Sequence, residues 1–333
     1  MILRSENRDM VFSSLSGYNF YNIVNQFVDE YEKDKALAVH ELSGSEVEIR
    51  YDANLSNSIV LEKWKYFIEH PIDISSILWP VDIIKNDEGK YGLVFRRRAF
   101  PPLKPFKEIL YNDAKLDWRN ADIQRLINNF LDLCSKLHNG GYVYHCFDID
   151  RMRYNPKDMS ILFDFSLSMT RKSEDVEQSE RVNHFDVGIE FLAPWQELLE
   201  DNMMTLVDDY YSITALLFRL MVGRMPYQGR LMDGNGDMMN YLRDTDENNH
   251  ITMFRKYREQ PVFIFDDQNK ENAIGIFSEE EIYIERWNAL PESIKKMFND
   301  VLNEKNVKKD AEKRIYYSPD EWLNILNNEC FCR

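Results

Sequence analysis

The sequence predicts an α+β protein in two unequal parts, and three features point to it. Up to about residue 98 the chain is cut into short alternating runs that suit an antiparallel sheet, with one amphipathic helical run among them. Pro101, Pro102 and Pro105 then interrupt the pattern as a linker does. Beyond them long runs with helical spacing dominate, so the second part is mainly helical. At 333 residues the chain is long for one core and short for three, which suits a two-lobed unit of residues 1–98 and 99–333.

The elements follow in order. Residues 1–17 carry no strong pattern and are expected to form a peripheral N-terminal arm. Ala36 to Val39 and Val47 to Tyr51 are the best early strands, with the turn-like Ser43-Gly44-Ser45 between them. Leu61 to Ile68 has helical spacing. Ile77 to Ile84 and Tyr91 to Phe95 read as two strands around the tight turn Asn86 to Gly89. Phe106 to Tyr111 and Asp117 to Leu137 turn helical, the latter with apolar residues at 123, 126, 127, 130, 131, 133 and 137.

Composition narrows the function classes. A hydrophobic content of 44% supports a real core, and the formal charge of −16 argues against broad nucleic-acid binding and against docking on anionic membranes. The cysteines at 134, 146, 330 and 332 and the six histidines form no zinc-like spacing, so reduced thiols in a cytoplasm are expected. The most apolar helical run, Ile213 to Val222, contains Arg219 and is too short to span a bilayer.

The chemistry concentrates in Leu137 to Ser168, LHNGGYVYHCFDIDRMRYNPKDMSILFDFSLS. This stretch resembles the catalytic segment of protein kinases, LHxxGIVHRDLKPENILL followed by Asp-Phe-Gly. The apolar frame matches and most of the reactive positions differ. Tyr144-His145-Cys146 falls where His-Arg-Asp stands, Arg151 where the metal-binding Asn stands, and Asp164-Phe165-Ser166 where Asp-Phe-Gly stands. Downstream, Phe191-Leu-Ala-Pro194 resembles the end of an activation segment with Trp195 in place of its Glu, and Asp209 to Tyr227 resembles the buried helix that follows. Gln260 to Asp266, Arg286 to Pro291 and Pro319 to Leu323 narrow the resemblance to a bacterial group of kinase-like proteins. It covers roughly residues 30–327, strongly after 137 and weakly before 77.

That resemblance implies a bilobal kinase-like fold, with a small antiparallel-sheet N-lobe carrying one helix and a larger, mainly helical C-lobe. It also implies a damaged site. Cys146 stands at the position of the catalytic Asp, and a thiol at neutral pH is a weak proton acceptor. Arg151 stands at the lost Asn ligand and would repel a divalent cation. Asp164 is the one metal ligand kept, and Asp148 (or Asp150) is the candidate displaced base. His145 replaces the arginine that docks an activation-segment phosphate. A Cys146 nucleophile paired with His145 or His138 lacks an evident orienting third residue.

In the N-lobe, the hairpin at Asp29 to Asp34 has no glycine and four carboxylates where phosphates would need backbone N–H groups. Val47-Glu48-Ile49-Arg50 fits the family's Val-Ala-Ile-Lys, which makes Arg50 the replacement for the phosphate-binding lysine, with Lys35 the alternative. Glu62 would be its helical partner, and Phe95 opens the hinge. Asp209 would brace the catalytic loop's backbone. Arg314 would face the missing Glu, so that ion pair is replaced or absent.

The expected function is therefore that of a pseudokinase, a binding, scaffold or regulatory module with weak or absent ATP binding and no required cofactor. ATP with magnesium remains the candidate ligand of the first rival, an active Ser/Thr kinase using Asp164. The second rival is a kinase-fold enzyme of altered chemistry. Loss of the general base alone is worth roughly 10²–10⁴-fold. The resemblance implies protein partners, among them von Willebrand A-domain or PP2C-phosphatase proteins.

Overall fold

A computed structural model describes residues 2–4, 11–15, 19–28, 34–86, 89–97, 103–113, 115–144, 147, 149–164, 169–172, 181–182, 191–196, 202–230, 259–275 and 277–331. The chain divides into two compact units, Met1–Pro101 and Pro102–Arg333.

The first unit is a seven-stranded antiparallel sheet with one helix. Its strands are β1 (Ile2–Arg4), β2 (Val11–Ser13), β3 (Phe20–Val28), β4 (Asp34–His40), β5 (Glu46–Tyr51), β6 (Pro80–Lys85) and β7 (Tyr91–Arg96). They lie in the order β1-β3-β4-β5-β7-β6, with β2 also on β3. Two pieces of the expected arm at 1–17 are strands that pair with β3. Sequence patterning missed them because strands of three residues are too short to show a period.

Ser14, just after β2, bridges Ile84 on β6, and Leu15 N–H donates to the Ile83 carbonyl at 2.9 Å. The two ends of the sheet are therefore joined and the sheet curls on itself. A bulge between Ile23 and Asn25 bends β3 to allow it. Tyr21, Ile23, Ala38, Val47, Ile49 and Val94 fill the inside. Strand alternation puts Lys35, Glu48, Arg50 and Phe95 on the opposite face. α1 (Ser58–Glu69) buries Trp64 and Phe67, and the Trp79 indole N–H donates to the Phe67 carbonyl at 3.0 Å.

The second unit is mainly helical. It contains β8 (Lys104–Pro105), α2 (Lys107–Leu110), α3 (Ala121–Asn139), β9 (Tyr142–Val143), β10 (Met152–Tyr154), β11 (Ile161–Phe163), β12 (Thr170–Arg171) and α4 (Leu206–Val222). Further helices span Glu281–Asn288, Glu292–Leu302 and Pro319–Glu329. Asn120 caps α3 by accepting the Asp122 N–H, and the predicted apolar positions form its buried face. α4 is buried almost all round, as its lack of a polar face requires. Thr205 and Asp208 cap its start reciprocally, and Gly223, at φ 94°, ends it. No helix among the described residues is long and apolar enough to cross a membrane.

Candidate functional site

The segment singled out by the sequence leaves α3 through Gly141 at φ 86°, a left-handed turn that glycine adopts without strain. Tyr144 follows β9 and is fully buried. Its ring lies 4.6 Å from that of Phe163 and 5.9 Å from that of Phe147, and Phe130 of α3 meets Phe147 at 5.0 Å. Its hydroxyl donates to the Asp164 carbonyl at 2.8 Å.

The chain then passes through one tight helical turn at Ile149–Arg151 and into the β10–β11 hairpin, whose register pairs Met152 with Phe163. Asp164 N–H donates to the Arg151 carbonyl at 2.9 Å. Asp164 is therefore held by its backbone on both sides, and Arg151 is its direct neighbour across the hairpin. Both side chains are half-buried. Beyond Asp164 the chain returns to pair with β9 through β12. His145, Cys146 and Asp148 lie outside the described residues, as do Phe165 and Ser166. Asp150, the other carboxylate weighed as a base, forms an ion pair with Lys107 at 2.7 Å.

Behind this segment, His138 Nε2 meets Asp209 Oδ2 at 2.6 Å, with both residues buried. Asp209, expected to brace the loop's backbone, meets this imidazole with one oxygen, its other oxygen is unpartnered among the described residues, and His145 and Cys146 of that loop lie outside them. Burial, and after it the Asp209 charge, push the nearby Cys134 thiol well up, so it stays protonated and inert. Cys330 is likewise a free buried thiol; Cys332 lies outside the described residues.

The first unit holds Lys35, Arg50, Glu62 and Phe95. Arg50 Nε donates to Glu48 Oε1 at 2.6 Å, and the Lys35 ammonium lies 3.6 Å from the same oxygen. The Arg50 guanidinium sits 4.7 Å over the Phe95 ring. Glu62 is not part of this group. It points outward, 70% exposed, and pairs with Lys65 at 2.7 Å, which corrects its expected partnership with Arg50. The hairpin at 29–33 lies outside the described residues. Glu48 is the member that sequence reasoning passed over, although its i, i+2 spacing from Arg50 on a strand was the signal for a shared face.

Comparison with known proteins bears on the fold. No family model matches the chain. The autoinhibited serine kinase domain of the giant muscle protein titin superposes with a TM-score of 0.54, covering 92% of this chain and 79% of that one at 11% identity. The chain has a protein-kinase-like fold. In sequence it is similar to ribosomal protein S6 kinase alpha-6 of Danio rerio, 26% identical over 145 residues, and to a putative ribosomal protein S6 kinase alpha-1 of Caenorhabditis elegans, 23% identical over 158 residues. These matches cover 43% and 47% of this chain and 18% of each relative.

Of the two positions that hold the metal in the family pattern, one keeps a carboxylate, Asp164, and the other is the cationic Arg151, which offers no ligand atom. Among the described residues no group of three or more His, Cys, Asp or Glu side chains could hold a metal ion. The arginine at the lysine position is already engaged by a carboxylate of its own strand.

Proposed function

We propose that the chain is a pseudokinase, a kinase-fold binding or regulatory module with weak or absent ATP binding and little or no phosphoryl transfer. The observation that carries this reading is the Arg151–Asp164 pairing. Arg151 stands in the pattern where a ligand is needed, and its carbonyl accepts the N–H of Asp164, the carboxylate the pattern keeps. A divalent ion there would meet like charge where it needs an oxygen donor. The expected partners are proteins rather than nucleic acids or membranes, which the charge of −16 supports. By the resemblance they include von Willebrand A-domain or PP2C-phosphatase proteins.

Retention of Asp164 favours a second reading, an unorthodox Ser/Thr kinase. Two measurements divide them. A ligand that binds only the native state raises its melting temperature, so a titration with ATP and magnesium should leave the melt unmoved. A clear magnesium-dependent rise would overturn the weak-binding reading. Incubation with γ-labelled ATP should transfer no label, and label that disappears in Asp164→Ala would establish the kinase instead.

A further inference from the structure

The cations on the outer face of the first unit's sheet already hold an anion, and it belongs to the chain. Lys35 on β4 and Arg50 on β5 are direct cross-strand partners, an arrangement in which like charges repel. Glu48 answers both through one oxygen, at 3.6 Å from the lysine and 2.6 Å from the arginine. The lysine, arginine and glutamate side chains are 17%, 23% and 25% exposed, so solvent screens these contacts only in part. Phe95 lies under the guanidinium. In the pattern Val-Ala-Ile-Lys the residue at position 48 is an alanine, which brings no charge; here it is the carboxylate.

We propose that Glu48 is the built-in occupant of an anion site formed by Lys35 and Arg50, and that the ligand class it excludes is a polyphosphate chain, free or on a nucleotide. The inference rests on the pseudokinase reading and names a residue responsible for it. Guanidinium and ammonium groups take carboxylate and phosphate oxygens through the same charge-assisted bonds. A carboxylate two residues away on the same strand competes at an effective concentration no dissolved phosphate reaches. No lid is needed to close such a site.

Glu48→Gln keeps the side chain's size and removes its charge, and Glu48→Ala restores the family residue. Both and the wild type, each shown folded by circular dichroism, are titrated calorimetrically with inorganic tripolyphosphate and with ATP, without magnesium. Tripolyphosphate should bind Glu48→Gln about tenfold or more tighter than wild type, and the gain should vanish in Glu48→Gln/Arg50→Gln. A parallel gain for ATP would support a nucleotide as the excluded ligand, and a gain for tripolyphosphate alone would support the phosphate chain. If Glu48→Ala does not fold, Glu48→Gln decides. A folded Glu48→Gln that binds neither probe better than wild type overturns the proposal and leaves the pseudokinase reading standing. Tight ATP binding by the wild type would overturn both.

Discussion

The guanidinium carbon of Arg314 lies 4.0 Å from the centre of the Trp195 ring. The kinase pattern puts a glutamate at residue 195 to pair with this arginine, and here the face of an indole takes the charge instead. The carboxylate has moved one step back. Trp195 Nε1 donates to Asp208 Oδ1 at 2.7 Å, while Asp208 Oδ2 accepts the Thr205 N–H at 2.8 Å and so caps α4. Tyr211 meets the indole edge-on at 5.1 Å. The indole thus connects the arginine to the start of the buried helix.

Trp195→Ala removes the stack, the indole hydrogen bond and the packing at once, and should cost about 3 kcal/mol in urea denaturation. Trp195→Phe keeps a ring for Arg314 and loses only the N–H, so about 1–2 kcal/mol is expected. Trp195→Glu, which restores the family's ion pair, should fall between them. Equal losses for all three would show that the pocket's volume matters and the arginine contact does not.

Tyr144→Phe tests the anchor of Asp164. The ring stack with Phe163 and Phe147 remains, but the Asp164 carbonyl loses the hydroxyl it accepts from. An unsatisfied, partly buried acceptor costs about 1–3 kcal/mol, and hydrogen exchange at the Asp164 amide should quicken more than at the core of α3. Unchanged stability together with unchanged exchange would mean that the backbone bond to Arg151 suffices.

The fold was legible where long periods existed. α3 could be read from seven apolar positions because a nineteen-residue helix repeats its face five times over, while its start at Ala121, capped by Asn120, lies four residues beyond the predicted one at Asp117. The kinase-like fold was legible in the apolar frame of residues 137–168. What escaped was pairwise and long-range. The resemblance set Arg314 opposite position 195 but did not say that an indole face would take its charge, and nothing in the weak pattern of the first residues says that Ser14 reaches Ile84. Glu62 misled because a glutamate on an amphipathic helix fits a paired role and a solvated one equally, and only its rotation about α1 decides.

Gly223 is the residue after α4 at which a side chain meets two penalties. Its φ of 94° lies where L residues are strained, at roughly 1–2 kcal/mol. A Cβ there would also stand 2.5 Å from Nη1 of Arg286. That arginine donates to the Asp113 carbonyl at 2.6 Å, and Asp113 pairs with the buried Arg219 at 2.8 Å. Gly223→Ala should therefore cost about 2–4 kcal/mol, more than the backbone strain alone. A loss confined to 1 kcal/mol would show that Arg286 yields freely.

Alkaline pH above about 10 should destabilise the protein, and the sign follows from its raised tyrosines, three of them foremost. Burial, then the Asp82 charge and the 2.8 Å bond to its Oδ2, raise the Tyr21 phenol far above its ordinary value. Burial and the bond to Asp113 push Tyr283 up to about 12, and burial with the bond to Asp300 does the same for Tyr317. In the unfolded chain all three ionise near pH 10. Below that pH both states hold their protons and the stabilisation is fully present. Above it only the unfolded chain releases them, so each tyrosine removes stability at up to about 1.4 kcal/mol per pH unit until its folded value is reached. Urea denaturation at pH 8, 10 and 11 should show this fall. Tyr21→Phe should be less stable at pH 8, by about 1.5–3 kcal/mol for a bond to a carboxylate, and should fall less steeply. A mutant with the wild-type slope would place the titration at the other raised phenols, Tyr154, Tyr283, Tyr316 and Tyr317.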